Sequence, residues 1–176
     1  MTTSGPRGTV TAIDGKPNLV LTRTFAAPIA QVWAMCTDSG RLERWIGRWE
    51  GDPTAGAVDF FMTAESPDAA PSRTVIHVCE PPRRLIVETS GDAGGWHLWL
   101  ELDDSDEGEG EGDVGTTLTF GHRLAPEDDI GTIGPGWEYY LDRLAAAFEG
   151  RDVAAVAFED YFPALQPYYE KLVAAG

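Results

Sequence analysis

The apolar positions change period along the chain, and the changes mark its elements. Between Asn18 and Phe25, Leu19, Leu21, Arg23 and Phe25 alternate with Val20, Thr22 and Thr24, the two-residue period of a strand. Shorter alternating runs at Val58–Met62, Arg73–Glu80, Arg84–Thr89, Trp96–Leu102 and Thr116–His122 are separated by Gly, Pro and Asp, as in an antiparallel meander. Strict alternation puts Val75, His77 and Cys79 on one face of their strand. It likewise groups Trp96, Leu98, Leu100 and Leu102 against His97, Trp99 and Glu101, and sets Leu118, Phe120 and His122 together.

Helical spacing occurs in two regions. After Pro28, Ile29, Val32, Trp33 and Cys36 form one short helix, and Leu42, Trp45 and Ile46 predict a second that stops at Gly47. Far downstream, Trp137, Leu141, Leu144 and Phe148 recur at i, i+4, i+7 and i+11, which predicts an amphipathic helix whose apolar face covers the sheet. Gly134-Pro135-Gly136 predicts a sharp turn into that helix after an irregular approach over Leu124–Thr132, and Gly150 predicts its end.

Residues 1–17 read as a flexible lead-in with a short strand at Val10–Ile13, and 18–150 as one domain. In the segment 151–176, Pro163 and Pro167 exclude one straight helix, while Tyr161, Phe162, Tyr168 and Tyr169 predict docking on the domain body.

Charge narrows the partners. A formal net charge of -16 disfavours phosphate backbones and anionic bilayers, which need clustered Lys and Arg. Without an apolar leader or a long apolar run, a soluble cytoplasmic protein is expected, as monomer or homodimer. The acidic, Gly-interspersed run Asp103–Gly115 reads as a solvated loop, because it lacks the ligand order of a calcium loop. Cys36 and Cys79 are distant and are read as two buried thiols. No nucleophile elbow, HExxH, phosphate loop or dinucleotide fingerprint is present, so neither a metal nor a cofactor is expected.

Three stretches carry a resemblance. Arg23-Thr-Phe-Ala-Ala-Pro-Ile-Ala-Gln-Val-Trp33, Val78-Cys-Glu-Pro-Pro-Arg-Arg-Leu85 and Gly136-Trp-Glu-Tyr-Tyr-Leu-Asp-Arg-Leu144 resemble, in order, the START-like (SRPBCC) superfamily. The similarity is to the branch typified by the C-terminal domain of the activator of heat-shock-protein-90 ATPase. The resemblance implies an α+β helix-grip fold: a curved antiparallel sheet of about seven strands around a long C-terminal helix, with two short helices after the first strand. It also implies a hydrophobic cavity between that helix and the concave sheet face.

The expected lining is Trp137, Tyr140, Leu141, Leu144 and Phe148 from the helix, with Trp45 or Trp49 at the mouth. The sheet contributes Phe60, Met62, His77, Cys79, Leu98, Leu100, Phe120 and His122. The same residues would equally fill a core. His77, His122 and Tyr140 are the polar groups able to orient a ligand or transfer a proton. Glu138 and Asp142, like charges at i and i+4, need a cation between them, and Arg44, Arg48, Arg83 or Arg84 could supply it; otherwise they lie on a solvated face. The expected function is binding of a small hydrophobic or aromatic molecule. The alternatives are a chaperone-regulating interaction module and a polyketide cyclase or aromatase, a lyase-like enzyme working inside the cavity.

Overall fold

The structure, a computed structural model, describes residues 6–90, 95–105 and 115–174. Most of the acidic loop and the turn at 91–94 lie outside the described residues. The elements are β1 (Thr9–Ile13), β2 (Lys16–Phe25), α1 (Ile29–Thr37), α2 (Ser39–Leu42), β3 (Arg48–Glu50), β4 (Ala57–Phe61) and β5 (Ser72–Glu80). They continue with β6 (Arg84–Ser90), β7 (His97–Ser105), β8 (Gly115–Arg123), α3 (Ile130–Phe148) and α4 (Gln166–Ala174). The strands form one antiparallel sheet of eight in the order β1-β2-β8-β7-β6-β5-β4-β3, so the fold is α+β of the helix-grip type. The sheet exceeds the expected seven because Arg48–Glu50 pairs with β4 as a short edge strand.

Register sorts the two sheet faces. Leu21, Phe120, Leu100, Leu85 and Cys79 are cross-strand partners in one row, and Leu19, His122, Leu98, Val87 and Ile76 in the next. Both rows lie on the concave face, under α3. Leu141 and Leu144 of α3 are buried to 2% and 0% exposure with Leu19, Leu21, Leu102 and Leu118, which makes this end of the grip a dry core.

Strict alternation fails on β5. Its register to β6 shifts between Ile76 and Val78, a bulge that places one extra residue on β5. Up to the bulge alternation holds, with Thr74 and Ile76 inward and Val75 and His77 outward, where the His77 ring meets the exposed Glu88 at 3.2 Å. Past the bulge the phase resets. Cys79 returns to the row of Leu85 and Leu100 but lies exposed at its edge, while Cys36 is the buried thiol, its pKa pushed up to about 12 by burial.

The organising helix begins at Ile130, seven residues before the expected start at Trp137. Asp129 caps it, accepting from the Gly131 amide at 3.0 Å, and Gly134-Pro135-Gly136 lies inside the helix rather than before it. These glycines allow a close approach. A Cβ on Gly134 would fall within the Tyr169 ring, and one on Gly131 would sit 3.0 Å from Glu170. Gly150, at φ 72°, ends the helix as its pattern predicts. Substituting Gly134→Ala should therefore destabilise the fold by about 1–3 kcal/mol through overpacking, although alanine favours a helix by about 1 kcal/mol. Chemical denaturation of the two proteins checks the sign.

The segment after Gly150 closes over the outer side of α3. Tyr169 is 0% exposed, and Tyr161 is buried with it. Their hydroxyls reach carboxylates on α3: Tyr161 donates to Asp142 at 2.6 Å and Tyr169 to Glu138. The lead-in is fastened at the same place from residue 7 onward. The amides of Arg7 and Gly8 donate to Glu138 at 2.7 and 3.1 Å, and Tyr168 donates to the Gly8 carbonyl.

The cation between Glu138 and Asp142 is Arg23, from β2. Its guanidinium donates to Glu138 at 2.8 Å and to Asp142 at 3.2 Å, with Arg23 and Glu138 side chains only 4% and 3% exposed. The solvated-face reading of Glu138 is thus corrected. Burial alone would raise its pKa, but the Tyr169 hydroxyl, the Arg7 amide and Arg23 outweigh that and hold it below the usual carboxylate range. Arg23 shares the concave face with Leu21 and Phe25, as alternation required.

Candidate functional site: a half-covered concave face

Across the concave face, coverage by α3 falls off. Leu19, Leu21 and His122 on β2 and β8 are sealed, whereas Leu98, Leu100, Leu85, Val87 and Ile76 on β7, β6 and β5 are only half-buried, as are Phe60 and Met62 beyond them. This half of the inner face is an apolar strip that keeps contact with solvent, unlike the sealed half beside it.

The strip ends at an aromatic cluster. Trp137 packs on Phe120 with ring centroids 4.4 Å apart and lies 6.1 Å from both Trp96 and Tyr140. Trp96 lies over His122 at 5.0 Å. Alternation already placed Trp96 on this face, so the periodic signal for it was present; Ile76 was hidden by the bulge. Trp96 is half-buried, so one large apolar ring of the cluster remains in contact with solvent.

The polar groups are tied down. Trp137 Nε1–H donates to His122 Nδ1 at 3.1 Å, which leaves the imidazole proton on Nε2, 3.5 Å from Asp128 Oδ2. Among the described residues Nε2 has no partner at hydrogen-bonding geometry, and the ring is 0% exposed. Burial pushes the His122 pKa below its ordinary value against the pull of Asp128. The Tyr140 hydroxyl donates to Glu65 Oε1 at 2.9 Å; burial, and then the Glu65 carboxylate, push its pKa up, so it stays a phenol. The His122 Nδ1 lone pair and the Tyr140 hydroxyl proton are thus both engaged within the protein.

A pH dependence follows. The unfolded histidine protonates near its ordinary pKa of about 6.5; His122 in the fold resists protonation. Its contribution to stability is whole above that pH and is lost as pH falls through the lower folded value. The melting temperature should drop between pH 7 and 5, less steeply in His122→Asn, which keeps an acceptor near Nδ1. His97, which burial shifts in the same direction, contributes to the residual slope.

The remaining expected lining residues divide. Phe60, Met62, Leu98, Leu100, Phe120, His122, Trp137 and Tyr140 lie around the strip and cluster. Leu141 and Leu144 are core. Trp45 is buried, its indole donating to the Met35 carbonyl of α1 at 3.0 Å, so it does not stand at a mouth. Half-buried Trp49 pairs across from Phe60 and donates to the Thr37 carbonyl. Phe148 stacks edge-on against Phe25 at 5.2 Å. His77 faces away from the strip, and Cys79 lies exposed at its edge. Among the described residues no group of three or more His, Cys, Asp or Glu is placed to hold a metal ion, and no helix is long and apolar enough to cross a membrane.

With this geometry in place, comparison with known proteins is decisive for the family. Residues 26–149 match the family described as activator of Hsp90 ATPase homolog 1-like protein. The chain belongs to this family. No curated protein matches it. Among solved structures, the crystal structure of CalU16 from Micromonospora echinospora is 25% identical, covers 96% of each chain and superposes with a TM-score of 0.68. DynU16, a protein of the dynemicin biosynthetic locus, is 22% identical with a TM-score of 0.63, over 77% of this chain and 49% of that one. A conserved protein of unknown function from Enterococcus faecalis is 15% identical with a TM-score of 0.67, covering 96% and 91%. The family's helix-grip frame is thus shared, and the match ends at Glu149, before the segment that covers α3.

Proposed function

We propose that this member of the activator of Hsp90 ATPase homolog 1-like family binds a small hydrophobic or aromatic molecule, and that its site is the apolar strip and aromatic cluster between α3 and β5–β7. The observation that carries the reading is the contrast in coverage: the β2–β8 half of the concave face is sealed, while Leu85, Val87, Leu98 and Leu100 keep solvent contact. A flat apolar molecule laid there would complete the burial and stack on Trp96 and Trp137. Burial of apolar area supplies affinity at about 25 cal/mol per Å² before association costs are subtracted.

His122 and Tyr140 serve this reading as fixed parts of the wall. The lone pair of Nδ1 is held by Trp137 and the phenol proton by Glu65, so binding is favoured over cyclase-type proton transfer. The setting of DynU16 in a biosynthetic locus makes a biosynthetic intermediate or product the natural class of occupant.

Native mass spectrometry of the protein purified from its own host tests this. The expected result is a bound species of small-molecule mass that is released on gentle denaturation. A discrete protein adduct in its place would support the chaperone-regulator reading and overturn this one.

A further inference from the structure

A second concavity lies at the opposite end of α3, away from the aromatic cluster. It measures about 390 Å³ and is lined by Gln31 and Met35 of α1, by Arg41 and Arg44 at α2, and by Ala147 and Phe148. Its volume falls in the range of small-molecule sites. Half-buried Phe148 supplies an apolar side chain to the lining, with Met35 and Ala147 packed behind at 4% and 3% exposure. The rim is cationic.

That rim stands out in a chain with 29 acidic and 13 basic side chains. Arg23, Arg48, Arg73, Arg83, Arg84 and Arg151 each lie within 4.0 Å of a carboxylate. Arg41, Arg44, Arg123 and Arg143 have no such ion pair among the described residues, and of these Arg41 and Arg44 line the niche. Arg44 donates once, to the Ala147 carbonyl at 3.3 Å, and thereby neutralises the exposed end of α3; its remaining N–H groups have no acceptor among the described residues. The Arg41 side chain has no hydrogen-bonding or ion-pair partner among them. Two guanidinium groups without carboxylates, beside the half-buried Phe148 ring, are complementary to a molecule with an anionic head and a flat apolar body.

We infer that this niche is a binding site for a small aromatic carboxylate, its carboxylate held by Arg41 and Arg44 and its ring laid on Phe148. The inference is independent of the groove proposed above, because no residue of that groove lines the niche.

The test is an amide NMR titration of the full chain with 2-naphthoate, and in parallel with the neutral 2-naphthamide. Saturable shifts are expected at Gln31, Met35, Arg41, Arg44, Ala147 and Phe148 with naphthoate, and affinity about tenfold weaker for the amide, since the charge-assisted bonds are lost. Arg41→Ala should weaken naphthoate by a similar factor with an unchanged melting temperature, and Arg41→Lys should restore part of it. Equal affinities for acid and amide, an Arg41→Ala variant that binds like the parent, or shifts confined to Leu98, Leu100 and Trp137 would each overturn the inference. The last result would still leave the groove reading standing, so the two fail separately.

Discussion

Arg23→Ala is expected to destabilise the protein by about 3–5 kcal/mol, the cost of leaving a buried carboxylate without its counter-ion. Glu138 and Asp142 come from successive turns of α3, and the Arg23 guanidinium between them turns an i, i+4 repulsion into a bridge from β2 to the helix. Removing it strands Glu138, 2% exposed, among amides and a tyrosine hydroxyl that cannot neutralise it. The loss is a large share of a typical domain stability of about 5–15 kcal/mol. The effect has an internal control. In Arg23→Met with Glu138→Gln, the charge is gone and the amide oxygen still accepts from Arg7 and Gly8, so most of the loss should be recovered. Urea denaturation of the single and double variants measures both. If the single variant unfolds at the parent's midpoint, the bridge contributes nothing.

Leu144→Asp should prevent folding altogether. Leu144 is 0% exposed at the centre of the core formed by α3 with β2 and β8, and an unpaired carboxylate there would have no partner. Leu144→Ala, by comparison, should cost about 2–5 kcal/mol and leave a folded protein. Circular dichroism of the two variants separates them. A Leu144→Asp protein with native spectra and an unchanged melting curve would contradict the placement of α3 over the sheet.

Much of this architecture was legible from periodicity, because most strands alternate without interruption and each is flanked by turn residues. The faces of β2, β7 and β8, including the inward Arg23 and His122, follow from that alone. Three features did not. A bulge adds a residue without altering composition, so alternation could not show that Cys79 rejoins the inward row while His77 stays outward with Val75. Gly134-Pro135-Gly136 looks like a turn because local propensity opposes a helix there; the close approach of Tyr169 depends on tertiary packing some 30 residues downstream, where local rules have no reach. The pairing of Arg23 with Glu138 spans 115 residues, and local spacing does not distinguish Arg23 from Arg44, Arg48, Arg83 or Arg84 as the partner. At the site itself, alternation identified which aromatics share a face. The degree to which α3 covers that face depends on helix placement, and it separates the sealed Leu19 and Leu21 from the half-open Leu98 and Leu100.

The half-covered strip is proposed to take up an apolar aromatic molecule. The most direct measurement is methyl NMR of Leu- and Val-labelled protein titrated with 2-naphthol. Saturable shifts at Leu85, Val87, Leu98 and Leu100, with Leu19 and Leu21 nearly unmoved, are the predicted result. Absence of saturation at those four methyl-bearing residues, or shifts spread evenly over the core, would contradict it.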